Sequence, residues 1–309
     1  MNILKLLADL AEVDPEITER LSPRRDVLNR LGKLSGKTAV AALPMAFGTL
    51  LQQAYGGPKD TIYDALRLAL TLEYLESEFY GRALGVLPSN SPVAAGLIPA
   101  DARAGIETIY RHEQQHVDTL KLVIQSSGGD LPAKPNFDFT GSKNGSQSAP
   151  FGDVFTNFDT FLKVAQTLED TGVRAYKGQV ANLAYDNAIV EAAVRIHSME
   201  ARHASHIRTL RRGRGANVKS WISSNDEVIT VPGKTDAAYA GEESTKQLVT
   251  LASSDGSTRN ILVPFDNSGS SLPIDIDKVG TAILVKVAEA FDEPLTAASA
   301  TAVASAFIF

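Results

Sequence analysis

Residues Ile189–Leu210 read IVEAAVRIHSMEARHASHIRTL. Ile189, Ala193, Ile196, Ile207 and Leu210 recur at steps of three and four, so the spacing predicts a helix with one apolar stripe. Where that stripe has room for two more aliphatics it carries Glu200 and His203. A carboxylate on the inner face of a helix costs free energy unless it is paired or holds a cation. An acid and an imidazole three residues apart project from one face and can ligate the same metal centre.

One Glu-x-x-His arises by chance in many helices, but this chain has a second. IETIYRHEQQHVDTLKLVI (106–124) has a stripe of Ile106, Ile109, Leu120 and Val123, with Glu113 and His116 in its gaps. Two further helices each set one acid on the stripe. Glu73 lies among Leu66, Leu70, Ser77, Tyr80 and Leu84; Glu169 lies among Phe158, Leu162, Ala165, Tyr176, Val180 and Leu183. Each lone acid is followed two turns later on its face by a tyrosine, Tyr80 or Tyr176. The order Glu, Glu-x-x-His, Glu, Glu-x-x-His is that of a duplicated half-site. All five histidines (His112, His116, His197, His203, His206) lie in the two Glu-x-x-His helices.

Composition narrows the chemistry. The 309 residues include no cysteine, which excludes disulfides, thiolate metal sites, iron–sulfur clusters and a cysteine nucleophile. A net charge of −6 with mixed signs predicts a soluble protein and gives no reason to expect nucleic acid as a partner. The chain is long enough to bury a core without staples.

The chain divides into three parts. Residues 1–57 form an N-terminal helical extension, residues 58–215 a four-helix bundle, and residues 216–309 a C-terminal extension. In the first part, Arg24-Arg25 followed by the apolar run Thr38–Leu51 is similar to a twin-arginine export signal. The run is interrupted by Pro44 and is shorter than the ~20 residues that span a bilayer, so no transmembrane span is expected. The compartment stays open, with cytoplasm ahead of export. The bundle helices are expected at about 60–84, 101–125, 158–183 and 187–211. Asp101 is the expected cap of the second, and Asp186 or Asn187 that of the fourth. The segment 126–157, rich in Gly, Pro and Ser, is long for a loop and fits a crossover from one end of the bundle to the other. Arg208, Arg211, Arg212 and Arg214 are expected to complement the dipole of the fourth helix. Beyond Lys219 the sequence predicts an irregular arm or short strand pair, then helices at 281–293 and 296–309. The apolar Phe307-Ile308-Phe309 end is expected to dock on the protein or on a neighbouring subunit.

If the four stripes face one another, four carboxylates and two imidazoles converge. Such a donor set suits two divalent ions of iron or manganese. Glu76, one turn beyond Glu73, is an alternative or additional candidate ligand; His112 and His206, one turn from His116 and His203, need no metal role.

These residues resemble a known family. Glu73 with Tyr80, Glu113-Gln-Gln-His116, Glu169 with Tyr176 and Glu200-Ala-Arg-His203 resemble the di-metal constellation of the ferritin-like superfamily, which includes ferritins, rubrerythrins and manganese catalases. The wording EYLESEFY, HEQQHVDTL and MEARHASHIR is similar to bacterial ferritin-like-domain proteins related to plant desiccation-related proteins. The resemblance covers about 60–212. It implies an all-α ferritin-like bundle in which Glu113 and Glu200 bridge two metal ions, with Glu73, Glu169, His116 and His203 as terminal ligands. The expected cofactors are two iron ions, with manganese as the alternative.

Two classes of function follow. One is a di-iron oxidoreductase that oxidises Fe(II) with dioxygen or peroxide under oxidative or desiccation stress, with Tyr80 and Tyr176 as catalytic hydrogen-bond or electron donors; manganese catalase chemistry fits the same ligands. The other is a structural or assembly-forming protein that keeps the bundle, its extensions joining identical subunits.

Overall fold

The computed structural model describes residues 59–184, 186–244, 246–252, 258–264, 285–286 and 288–309. The N-terminal extension with its arginine pair lies outside the described residues, as do residues 281–284 and 287 of the helix expected at 281–293. Four long helices form the core of the molecule: α1 (Lys59–Ala83), α2 (Ala100–Ser126), α3 (Phe158–Leu183) and α4 (Asn187–Gly213). The architecture is the expected all-α four-helix bundle. Among the described residues no helix is long and apolar enough to cross a membrane.

Each helix begins for a local reason. Asn157 caps α3 by accepting hydrogen bonds from the backbone N–H of Asp159 and Thr160. Asp186 does the same for Ala188 and Ile189 at the start of α4. At α2 the cap differs from expectation: Pro99 occupies that position with no side-chain cap, and Asp101 sits in the first turn. Proline loses nothing at a helix start, and an acid there favours the helix dipole.

Helices α1 and α2 pack as one pair and α3 and α4 as another, with α1 against α3 and α2 against α4 across the bundle. The predicted stripes are buried. Leu66, Leu70, Ile106, Ile109, Leu162, Ala165, Ile189, Ala193 and Ile207 all lie in the core.

The connection between α2 and α3 runs the length of the bundle. The end of α2 (Leu120, Val123) and the end of α3 (Gln179, Leu183) line one cavity together with the starts of α1 and α4. Those two helices are therefore parallel, and a chain leaving α2 must return to the opposite end to begin α3. On its way it buries Phe137, Phe139, Phe151 and Phe155. Asp138 organises the turn that follows: its carboxylate accepts hydrogen bonds from the N–H of Thr140 and Asn144 and from the hydroxyls of Thr140 and Ser142. Lys143 and Asn144 adopt positive φ there.

After the bundle the chain forms a 3₁₀ turn (Thr235–Tyr239), an antiparallel strand pair β1 (Lys246–Ala252) and β2 (Thr258–Pro264), and a short helix α5 (Ala297–Ser305). Two of the expected dipole-complementing arginines have a different task. Arg208 makes two hydrogen bonds to Asp170 and also pairs with Asp226; Arg211 donates to Gln166 and to the carbonyl of Glu227. Both are buried and fasten the arm to α3 and α4. Arg174 of α3 is also buried: it pairs with Glu242 at 2.7 Å and donates to the carbonyls of Ala238, Ala240 and Glu293. A Cβ on Gly178 would stand 1.8 Å from the Leu295 carbonyl oxygen, so only glycine admits the arm that closely. The chain end docks on the crossover, where the Phe307 carbonyl accepts from the Asp138 N–H and the Phe309 N–H donates to Asn136.

Candidate metal centre

The fold brings all six expected ligands together at the middle of the bundle. Each of the four helices contributes from its buried stripe: Glu73 from α1, Glu113 and His116 from α2, Glu169 from α3, Glu200 and His203 from α4. The four carboxylates have no solvent exposure, and both imidazoles are buried. The donor atoms fall into two groups, Glu73, Glu113, His116 and Glu200 in one, Glu113, Glu169, Glu200 and His203 in the other. Within each group the donor atoms lie within 4.8 Å of one another. Glu113 and Glu200 belong to both, between two acid–imidazole pairs.

The imidazoles turn the same atom inward. His116 Nδ1 lies 3.1 Å from Glu73, 3.2 Å from Glu113 and 3.0 Å from Glu200. His203 Nδ1 lies 2.8 Å from Glu113 and 3.4 Å from Glu169. The other nitrogen of His203 is 3.0 Å from His112 Nδ1, with the two rings stacked. His112, one turn before His116, therefore orients a ligand from behind, as neighbours of metal-binding histidines commonly do. His197 instead meets the Val173 carbonyl at 2.9 Å.

His116 Nδ1 is within hydrogen-bonding distance of Glu73 Oε2 and Glu113 Oε2, but other donor atoms of the cluster have no partner. Glu113 Oε1, Glu169 Oε2, both oxygens of Glu200 and His203 Nδ1 are buried without a hydrogen-bond partner. Buried polar atoms left unpartnered cost about 1–3 kcal/mol each, more if charged. Five around one point need a common partner, and a cation is the partner that carboxylate and imidazole lone pairs share. On this ground the residues fit a bound metal cation.

The electrostatics agree. Burial pushes Glu73 up to about 7, against the lowering influence of His116. Burial and the neighbouring acids hold Glu76 and Glu200 well above the usual carboxylate range, and burial raises Glu169. Glu113 goes the other way: burial would raise it, but the two flanking imidazoles together hold it low. Burial alone would lower His116 and His203, yet the facing carboxylates hold both well above the ordinary histidine value. Burial and the two other imidazoles push His112 down to about 4. Crowded acids must share protons or positive charge.

The tyrosines sit where the stripe places them. The Tyr176 hydroxyl donates to Glu73 Oε1 at 2.5 Å, and Tyr80 donates to Glu169 Oε1. Each therefore crosses to the lone acid of the other helix, α3 to α1 and α1 to α3. Burial and the adjacent carboxylates raise both phenols well above their ordinary value, so they remain donors.

Glu76, the alternative to Glu73 offered by the sequence, is buried in the same cluster with one oxygen unpartnered. One feature lay beyond the sequence reading. Gly172, one turn after Glu169, gives the acids room: a Cβ there would stand 2.9 Å from Glu200 Oε2 and 3.3 Å from Glu76 Oε1. The sequence marks Gly172 only as a glycine inside a helix, which does not say what it makes room for.

Residues 61–213 match the family model of a ferritin-like domain, a span that holds nearly all of the four long helices and every residue of the cluster. A comparison with curated proteins finds no match. Residues 61–213 thus belong to the ferritin-like superfamily.

Proposed function

We propose that this ferritin-like domain is a di-metal carboxylate centre that oxidises Fe(II) with dioxygen or peroxide. The observation that carries the reading is the set of buried, unpartnered donor atoms on Glu113, Glu169, Glu200 and His203, shared between two donor groups. Glu113 and Glu200, common to both donor groups, would be shared between two ions, with Glu73 and His116 holding one and Glu169 and His203 the other. The chemistry such a centre would supply, with two ferrous ions bound, is one electron from each ion to a single dioxygen or peroxide.

The protein's own groups hold the geometry. Tyr176 and Tyr80 each occupy one oxygen of a terminal acid, which leaves the other oxygen facing inward. His112 fixes the ring of His203 so that Nδ1 points into the cluster. Manganese suits the same oxygen-rich donors, and a catalase reaction is the second enzyme reading. The wording of the helices resembles that of bacterial ferritin-like-domain proteins related to desiccation-related proteins, and this resemblance favours a role in stress.

The test is turnover of ferrous iron with dioxygen, and of peroxide, by the wild type and by Glu113→Ala combined with Glu200→Ala. Loss of at least a hundredfold in rate supports the reading. Unchanged rates in the double variant sink it.

A further inference from the structure

The two halves of the centre are alike in ligands and unlike in surroundings. Beyond Tyr80 the bundle is filled with aromatic rings. Phe79 stacks on Phe161 with centroids 4.9 Å apart, Tyr80 meets Phe161 edge-on at 6.0 Å, and Phe139 and Phe155 close around Phe79. All of these side chains are fully buried. Beyond Tyr176, at the other end, there is space instead. A cavity of about 20 Å³ lies between the four helices, with Tyr176 in its wall. That exceeds the ~10–15 Å³ that one small molecule such as water needs.

Counted from the lone acids Glu73 and Glu169, Ala65 and Ala175 stand where the opposite end has Phe161 and Phe79, and both line the cavity. Ala69 on α1, Ala175 on α3 and Ala193 on α4 line it, and its other walls are mostly aliphatic. Its polar side chains are only two: Tyr176, whose hydroxyl donates to Glu73, and Gln179, whose Oε1 accepts from Asn182. Leu68, Ala69, Val123 and Ala192, all half-buried, form its outer rim. A cavity with so little to offer a hydrogen-bonding guest stays dry and takes apolar ones. Hydrogen peroxide would leave its O–H groups unpaired there, at a cost of a few kcal/mol. Dioxygen would not.

We infer that dioxygen reaches the carboxylate cluster from the Tyr176 end, through this cavity, so that the Glu73–His116 half is the side that meets the oxidant. The inference deepens the proposed function and rests on it for its purpose, since access matters only if the cluster is redox-active. The claim concerns binding and approach. Tyr176 is then a positioning residue whose ring separates the cavity from Glu73.

Dissolved dioxygen is paramagnetic and marks the places it visits, so the test needs no turnover. Methyl relaxation is measured by NMR on the full chain, metal-free or loaded with Zn(II), with and without several atmospheres of dioxygen. The methyls of Leu66, Leu120 and Ile189 line the cavity, and Val154, equally buried, lies beside Phe151 and Phe155 at the other end. We expect dioxygen to enhance relaxation of the cavity methyls about threefold or more over that of Val154. Ala193→Leu, which fills the space, should remove the difference while Glu113→Ala keeps it. Equal enhancement at both ends, or a stronger effect at Val154, overturns the inference, and the wild-type comparison decides this even if the leucine variant does not fold. Enhancement in a protein that binds no metal would leave the cavity assignment standing and fail the di-metal reading alone. Metal binding without enhancement would do the reverse.

Discussion

At the residue scale the account turns on unpartnered atoms. Glu113 and Glu200 could have been neutralised by salt bridges to lysine or arginine, as Asp170 is by Arg208. Instead their charged neighbours are two imidazoles and other acids. Gly172 is the smallest change that tests whether this spacing matters. Gly172→Ala would improve the intrinsic helix propensity of α3 by ~1 kcal/mol, but its Cβ would stand 2.9 Å from Glu200 Oε2. The expected outcome is an intact helical fold with metal affinity lowered about 10- to 100-fold, the size of effect seen when the support around ligands is altered. Metal titration followed by circular dichroism checks both halves. The ligands themselves were legible in the sequence, because a helix states its inner face by its period. Gly172 was not, because a glycine inside a helix says nothing about which side chain it makes room for.

At the element scale the crossover and the arm carry the predictions. Asp138 holds its turn through four accepted hydrogen bonds, and these depress its pKa although burial alone would raise it. A depressed carboxyl contributes stability that is present above its unfolded pKa and is lost as pH falls through the folded one. Asp138→Asn should therefore cost about 2 kcal/mol near neutral pH, and the gap to wild type should narrow below about pH 4. Urea melts at pH 7 and at pH 3.5 would show this; a gap that widens on acidification would contradict it. Helices α1 to α4 were readable to within a few residues, since apolar period, caps and breakers agree along them. The strand pair of the arm was readable, but the way the arm docks on α3 and α4 was not. Its contacts come from Arg174, Arg208 and Arg211, which lie off the apolar stripes and look like solvent-facing charges until the chain folds back over them. Thr167, Asp170 and Thr171 of α3 mislead in the same way: polar in sequence, buried in fact.

At the scale of the whole molecule, α3 is covered on both sides, by the bundle on its ligand face and by the arm on the other. Arg174 is the main pin of that second face. Arg174→Met would leave Glu242 without its partner, and removing one member of a buried pair costs about 3–5 kcal/mol. The expected result is a lower melting temperature together with proteolytic cleavage between 216 and 296 that spares the bundle. Loss of the arm with no change in melting would contradict the assignment of Arg174 as a structural pin. The crossover has a second consequence at this scale. By making α2 and α3 parallel it sets the two half-sites antiparallel to each other, so that each tyrosine reaches the lone acid of the other half.

The central claim is that Glu73, Glu113, His116, Glu169, Glu200 and His203 hold two metal ions. Metal content per chain tests it most directly, measured on protein purified without added metal and again after anaerobic loading with Fe(II). The account predicts about two iron or manganese ions per chain, the number of donor groups the cluster divides into, both lost together in Glu113→Ala. No stoichiometric metal under either condition would contradict it, and the six residues would then be a buried network that shares protons among its acids.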